Sequence, residues 1–191
     1  MCFGVLVPGF SDFIYYYQLE VSHFEKFSIS MLNVLGSFAL FVSMFIYAGY
    51  LKDLPVRNMM IIASFMRVFG GIFTIMYLKD ITLGMSPLTF VAVTGTVSEI
   101  LTDAFKTMPA MVLFAKLMPK NVESSMFGLI AGILNFSNGF LSKQLGLLIN
   151  KGVGVTNSNL NDLWKLYAIM TVCCFLPLFF VSLLPSVEAV R

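Results

Sequence analysis

Glu99, Asp103 and Lys106 stand at i, i+4 and i+7 within an otherwise apolar stretch. On a helix that spacing brings all three side chains to one face. Two carboxylates and an ammonium so arranged can exchange protons or hold a charged solute. They can equally neutralise one another as internal glue, since Lys106 lies three residues from Asp103. A charge at the centre of a bilayer costs roughly 3 kcal/mol on insertion scales. The stripe is therefore expected to face a bundle interior or a water-filled path, and the function to be the passage of a polar substrate or ion. Arg67 lies about ten residues into the preceding apolar segment, near mid-membrane by helical rise. It is the expected structural partner of Asp103 or Glu99. Lys143, in a later segment, either meets an anionic substrate or reaches up to the headgroups. Asp12, followed by Tyr15, Tyr16 and Tyr17, is a candidate for proton coupling with an aromatic surface beside it; three tyrosines in a row equally suit an interfacial belt.

These residues need elements that hold them in lipid. The chain has 191 residues, 58% hydrophobic and only 12% charged, with a mean hydropathy of +0.88. A soluble domain would carry about a quarter charged residues, so lipid is the expected solvent. Six apolar segments can be marked, at about 2–18, 28–51, 57–79, 86–117, 122–150 and 162–184. A hydrocarbon core of about 30 Å needs roughly 20 helical residues. The segments are long and continuous and lack the alternation of barrel strands, so the expected fold is an all-α integral membrane protein with six transmembrane helices. The first segment is the shortest, interrupted by Pro8 and Asp12. The fourth, at roughly 48 Å of helix, must tilt, protrude or bend, and Pro109 is the natural kink point. Ser86-Pro87 is a helix-opening pair, and Glu123 is expected at the positive N-terminal end of the fifth helix.

The composition also excludes classes. Net charge is +2 and there is no basic run, so no nucleic-acid partner is expected. Cys2, Cys173 and Cys174 have no disulfide or metal spacing and read as small buried hydrophobes. No nucleophile–base set, metal-ligand cluster, Walker loop or dinucleotide fingerprint is present, so neither an enzyme nor a cofactor is expected. Transport would have to run on ion gradients. The N-terminus has no basic region and no cleavage site of a signal peptide. With both ends cytoplasmic, Lys52, Arg57, Lys116, Lys120 and Arg191 fall inside and Lys26, Lys79, Lys151 and Lys165 outside, a slight positive-inside bias. Gly128 and Gly132 form a small-xxx-small packing pair.

The second link, with Gly49, Asp53 and Arg57, resembles the loop signature of the major facilitator superfamily, which lies between the second and third helices of each six-helix half. In physical terms Gly49 permits close helix approach, Asp53 can cap a helix end and Arg57 can pair across the loop. The run 108–146 resembles the folate–biopterin transporter family within that superfamily. Its members show a proline-bearing helix, a CP-x-G-x-E turn, a Phe-Ala-rich helix and an Asn followed by a Leu-Ser pair. Here those positions are Pro109, Pro119, Glu123, Phe127, Ala131, Asn135, Leu141 and Ser142. Met118, Asn121 and Gly128 depart from the usual Cys, Gly and Ala. The opening Pro8 to Tyr17 and the ending Leu163 to Pro185 are also similar to that family's second half.

The resemblance implies the C-terminal half of a secondary transporter that carries folate or pterin, small anionic substrates, by alternating access between two six-helix halves. For such a substrate, residue chemistry makes Tyr15 or Tyr16 and Asn135 the candidates for the flat ring and Lys106 or Lys143 those for the anionic tail. Asn135, Ser137 and Asn138 could read the ring edge or bond a neighbouring helix. The expected partners are the lipid bilayer, the substrate and a second half, upstream in the same polypeptide or on another subunit. Met1 opens inside an apolar segment, so a truncated sequence is expected over a true half-transporter. The alternative is a non-transporting membrane scaffold or assembly subunit that retains the fold.

Overall fold

The computed structural model describes residues 6–117, 123–157 and 159–183, without the side chains of 117, 123 and 181–183. Six helical elements follow one another. Helix α1 covers Ser11–Tyr16 and continues as a π-helical turn, Tyr17–Val21. Helix α2 is Lys26–Leu51 and α3 is Val56–Leu78. Helix α4 comprises Pro87–Thr102, a π segment Asp103–Thr107, and Met108–Leu117. Helix α5 comprises Glu123–Asn135, a π segment Phe136–Leu141, and Ser142–Val153. Helix α6 is Leu163–Cys173, followed by a 3₁₀ stretch Leu176–Leu183. The chain is thus an all-α membrane protein: among the described residues, five helices, α2 to α6, are long and apolar enough to cross a bilayer.

Local signals explain the boundaries. Ser86 caps α4, its hydroxyl accepting from the Thr89 N–H at 3.2 Å, with Pro87 in the first turn. Gly154, at φ +80°, closes α5 in the left-handed region that glycine enters freely. Pro55 precedes α3, and Lys52 and Asp53 form the turn before it.

Two apolar clusters tie the helix ends. At the end where α1, α3 and α5 terminate, Phe10, Tyr17, Phe24, Tyr77, Phe90, Leu163 and Tyr167 are among the buried residues of one cluster. The Ser22 and Tyr77 hydroxyls share a hydrogen bond at 2.6 Å there. At the other end Tyr47, Leu51 and Met59 close on Ala104. Ala104 thus packs within about a turn of the α2–α3 link. The outer faces stay apolar, with Phe38, Phe41 and Phe45 on α2 and Phe127, Leu129 and Leu148 on α5 exposed, as lipid or a partner bundle requires.

The first and last segments differ from the expected helices. Residues 2–5 lie outside the described residues, and helix begins only at Ser11. Residues 7–9 instead lie against α5. The Gly9 N–H donates to the Ser142 carbonyl at 2.9 Å, and the Ser142 hydroxyl donates to the Val7 carbonyl at 2.6 Å. Non-helical backbone at membrane depth is tolerated where protein satisfies it in this way. A Cβ on Gly146 would strike the Gly9 carbonyl, so the approach needs glycine. In α6, Pro177 cannot continue an α-helix, and the backbone tightens to 3₁₀ from Leu176. Pro185 and the Pro119 turn lie outside the described residues.

A second close approach joins α3 to α6, where a Cβ on Gly71 would strike the Thr171 hydroxyl. Gly71→Val should destabilise the detergent-solubilised protein by about 1–3 kcal/mol through overpacking, whereas Gly132→Ala, with nothing within 4 Å of the added carbon, should be near neutral. Thermal unfolding midpoints of the two variants check this.

Candidate functional site

Helices α1, α3, α4 and α6 enclose an open cavity of about 350 Å³. The wall from α4 carries Thr94, Ser98, Glu99, Thr102 and Asp103; α3 contributes Arg67, Thr74 and Tyr77; Gln18 comes from α1 and Tyr167 from α6. Glu99 and Asp103 thus meet Arg67 across one space, though among the described residues no direct ion pair joins them. The Thr107 hydroxyl donates to the Asp103 carboxylate at 2.9 Å. Glu99 also lies along α2: a Cβ on Gly36 would come within 2.7 Å of Glu99 Oε2.

Lys106 does not share that wall. It borders a separate void of about 10 Å³ with Arg67, Ser64 and Cys174. The reason is local. From Asp103 the hydrogen bonds run i→i+5, the Met108 N–H donating to the Asp103 carbonyl. The extra residue in that turn rotates Lys106 out of the 3.6-residue register that the spacing assumed. Pro109, which has no N–H to give, follows directly and is fully buried. Arg67 lines both spaces and is the link between the acidic wall and Lys106.

A second constellation joins α1 to α5. Lys143 Nζ lies 3.0 Å from both carboxylate oxygens of Asp12. The pair borders a recess of about 170 Å³ that also includes Phe10, Phe13, Phe140 and Gln144. Asn135 is exposed on α5 and lines neither cavity; Tyr16 is half-buried against the core and contacts Tyr15 edge-on at 5.8 Å. The candidate residues are therefore not gathered at one place: Glu99 and Asp103 line the larger cavity, Asp12 and Lys143 the recess, Lys106 the small void, and Tyr16 and Asn135 none of the three.

The α2–α3 link is simple in geometry. A Cβ on Gly49 would meet nothing within 4 Å, so within this chain no close approach uses it. Helix α3 has no side-chain cap, so Asp53 does not supply one. Arg57 stands in the first turn of α3. The Glu123 side chain lies outside the described residues. Thr94, Ser98 and Thr102 were not singled out from the sequence, yet their four-residue spacing of hydroxyls beside Glu99 was a signal. Gln18, Thr74 and Tyr77 had none, because only the fold brings α1 and α3 to that wall.

An open cavity should admit water-borne reagents. In a background without native cysteines, Ser98→Cys should react with a membrane-impermeant thiol reagent, and Ala39→Cys, fully buried on α2, should not. Mass spectrometry of the labelled protein reads the outcome.

Residues 2–191 match the BT1 family. The chain is 30% identical over 185 residues to "Probable folate-biopterin transporter 9, chloroplastic" of Arabidopsis thaliana, covering 96% of this chain and 34% of that protein. It is 26% identical to "Folate-biopterin transporter" of Synechocystis sp., over 96% of this chain and 37% of that protein. It is 24% identical to "Folate transporter 1" of Plasmodium falciparum, over 94% and 35%. The chain spans about a third of the length of these curated relatives. No solved structure matches it. These relatives are named as transporters. Its length of match and its bundle of membrane-length helices lead to one conclusion: the chain belongs to the BT1 family of folate–biopterin transporters.

Proposed function

We propose that this chain is one six-helix half, the C-terminal one, of a major-facilitator-type secondary transporter for folate- or pterin-like anions. The observation that carries the reading is the cavity at membrane depth with Arg67, Glu99 and Asp103 in its wall. Charges in hydrocarbon are expensive and face protein or a water path, and a mostly apolar wall with hydroxyls, two carboxylates and a guanidinium set in it suits a flat solute with polar edges. The relatives' names support the substrate class, and the chain's match to about a third of their length is compatible with a further half. That half lies upstream in the same polypeptide or on another subunit, and the two rock about the site between them.

Within this reading Glu99 and Asp103 exchange the coupling ion, and Arg67 balances their charge. Lys106, on the far side of Arg67, sets the potential that both acids feel. Tyr16 and Asn135, outside this cavity, are offered to the heteroaromatic ring from the side where the second half docks. Gly128 and Gly132, with open space around each, lie on a helix whose apolar face is left for that docking or for lipid.

Uptake of labelled folate by cells expressing the whole transporter tests the proposal. Asp103→Asn and Lys106→Ala should each lower initial uptake by about tenfold or more at equal surface abundance. Undiminished uptake in both variants would remove this cavity from the transport path. Absence of uptake and of thermal stabilisation by folate or biopterin in the unaltered protein would favour a non-transporting membrane scaffold.

A further inference from the structure

The Asp12–Lys143 pair has a geometry that folding does not need. Both side chains are open, 44% exposed for Lys143 and 67% for Asp12, and an ion pair exposed at both ends contributes little to stability. The contact between α1 and α5 is already made by backbone: Gly9 to Ser142, and Ser142 to Val7. Depth makes the exposure informative. Lys143 lies ten residues before the end of α5 at Val153, and Asp12 nine before the end of α1 at Val21. At 1.5 Å per residue each is about 15 Å below that end of the bundle, half of a hydrocarbon core of about 30 Å. An exposed ion pair at that depth cannot face lipid cheaply, so it faces water or a partner half. Beside it is the recess of about 170 Å³, floored by the buried Phe10, where the more open Phe13 and Phe140 give aromatic surface for a flat ring next to a cation for an acid group.

We propose that Lys143 anchors a carboxylate of the transported anion, and that the substrate takes Lys143 from Asp12, which picks up one proton from bulk solvent as it lets go. This rests on the transport reading above. The charge balance explains why the proton is needed. In the resting state one cation meets one carboxylate. A second carboxylate on Lys143 leaves Asp12 as an uncompensated charge at mid-depth, and protonation returns the site to neutrality. No covalent bond changes; one hydrogen-bonded ion pair is exchanged for another. Binding of anion and proton therefore assist each other, and the assistance is reciprocal. The recess has no other charged residue among the described ones; Gln144 is its remaining polar side chain. From α6, Tyr167 packs against Phe10 of the recess, and its hydroxyl donates to the Phe10 carbonyl at 3.5 Å.

The test uses the whole transporter, this chain with its partner half, in lipid nanodiscs. Two probes are titrated at pH 5.5 and pH 7.5: folic acid, which has carboxylates, and biopterin, which has none. Folic acid should bind about fivefold or more tighter at pH 5.5, with uptake of about one proton. Asp12→Asn should hold the tighter affinity at both pH values. Lys143→Gln should weaken folic acid by about tenfold and leave biopterin within about twofold, and Lys143→Arg should restore folic acid binding. Unchanged folic acid binding in Lys143→Gln, equal loss of both probes, or a pH dependence that survives in Asp12→Asn would each overturn the proposal while leaving the transport reading standing. Binding of neither probe to the unaltered protein would overturn both.

Discussion

A polar group carried into hydrocarbon must be answered by protein or by water, and much of this structure follows from that demand. Among the described residues no buried side-chain nitrogen or oxygen is left without a hydrogen bond. Ser43, Ser64 and Thr171 are buried within the helices, and each hydroxyl returns to a carbonyl three or four residues back. Ser142 is answered across helices by the Val7 carbonyl. The charges that cannot be settled this way collect at cavities: Arg67, Glu99 and Asp103 at one, Asp12 and Lys143 at the other. Lipid permits a helix almost any apolar side chain but very few polar ones, so the polar residues carry most of the information about path and partner.

In α4 and α5 the departures from α geometry fall at or next to these groups. The π segment in α4 holds Asp103 and Lys106, and the one in α5 holds Ser137 and Asn138 and ends one residue before Ser142. A π turn leaves a backbone carbonyl misaligned and re-aims the side chains after it. In α4 that re-aiming separates Lys106 from the acidic wall and sets Arg67 between them. In α5 it precedes the turn where Gly9 and Gly146 nearly touch and Lys143 reaches Asp12. Both long helices thus carry a π segment in their middle thirds.

The bundle's apolar faces divide in the same way. The buried cluster at the ends of α1, α3 and α5 is half aromatic, and its rings join elements distant in sequence, such as Phe10 with Tyr167 at 6.1 Å and Tyr17 with Tyr77 at 5.5 Å. At that same end Lys79 lies 3.8 Å from the centre of the Trp164 ring, a cation–π contact between the ends of α3 and α6. The faces of α2 and α5 that carry exposed phenylalanines do no such joining within this chain. They are the surfaces on which bilayer or partner bundle must act.

The sequence by itself determined the solvent, the helical class and most helix positions. Hydropathy over some twenty residues is a local sum, and lipid leaves a long apolar run little choice but helix. The start of α4 at Ser86-Pro87 is likewise written in two adjacent residues. Tertiary structure alone decided which polar groups meet. Asp12 and Lys143 are 131 residues apart, and nothing in either neighbourhood specifies the rotation that aims one at the other. Nor does spacing reveal an i→i+5 turn, so the stripe of Glu99, Asp103 and Lys106 looked continuous and is not. The late start of α1 has the same origin: its first residues take their hydrogen bonds from α5, and a backbone partner supplied by a distant helix leaves no mark on the local sequence.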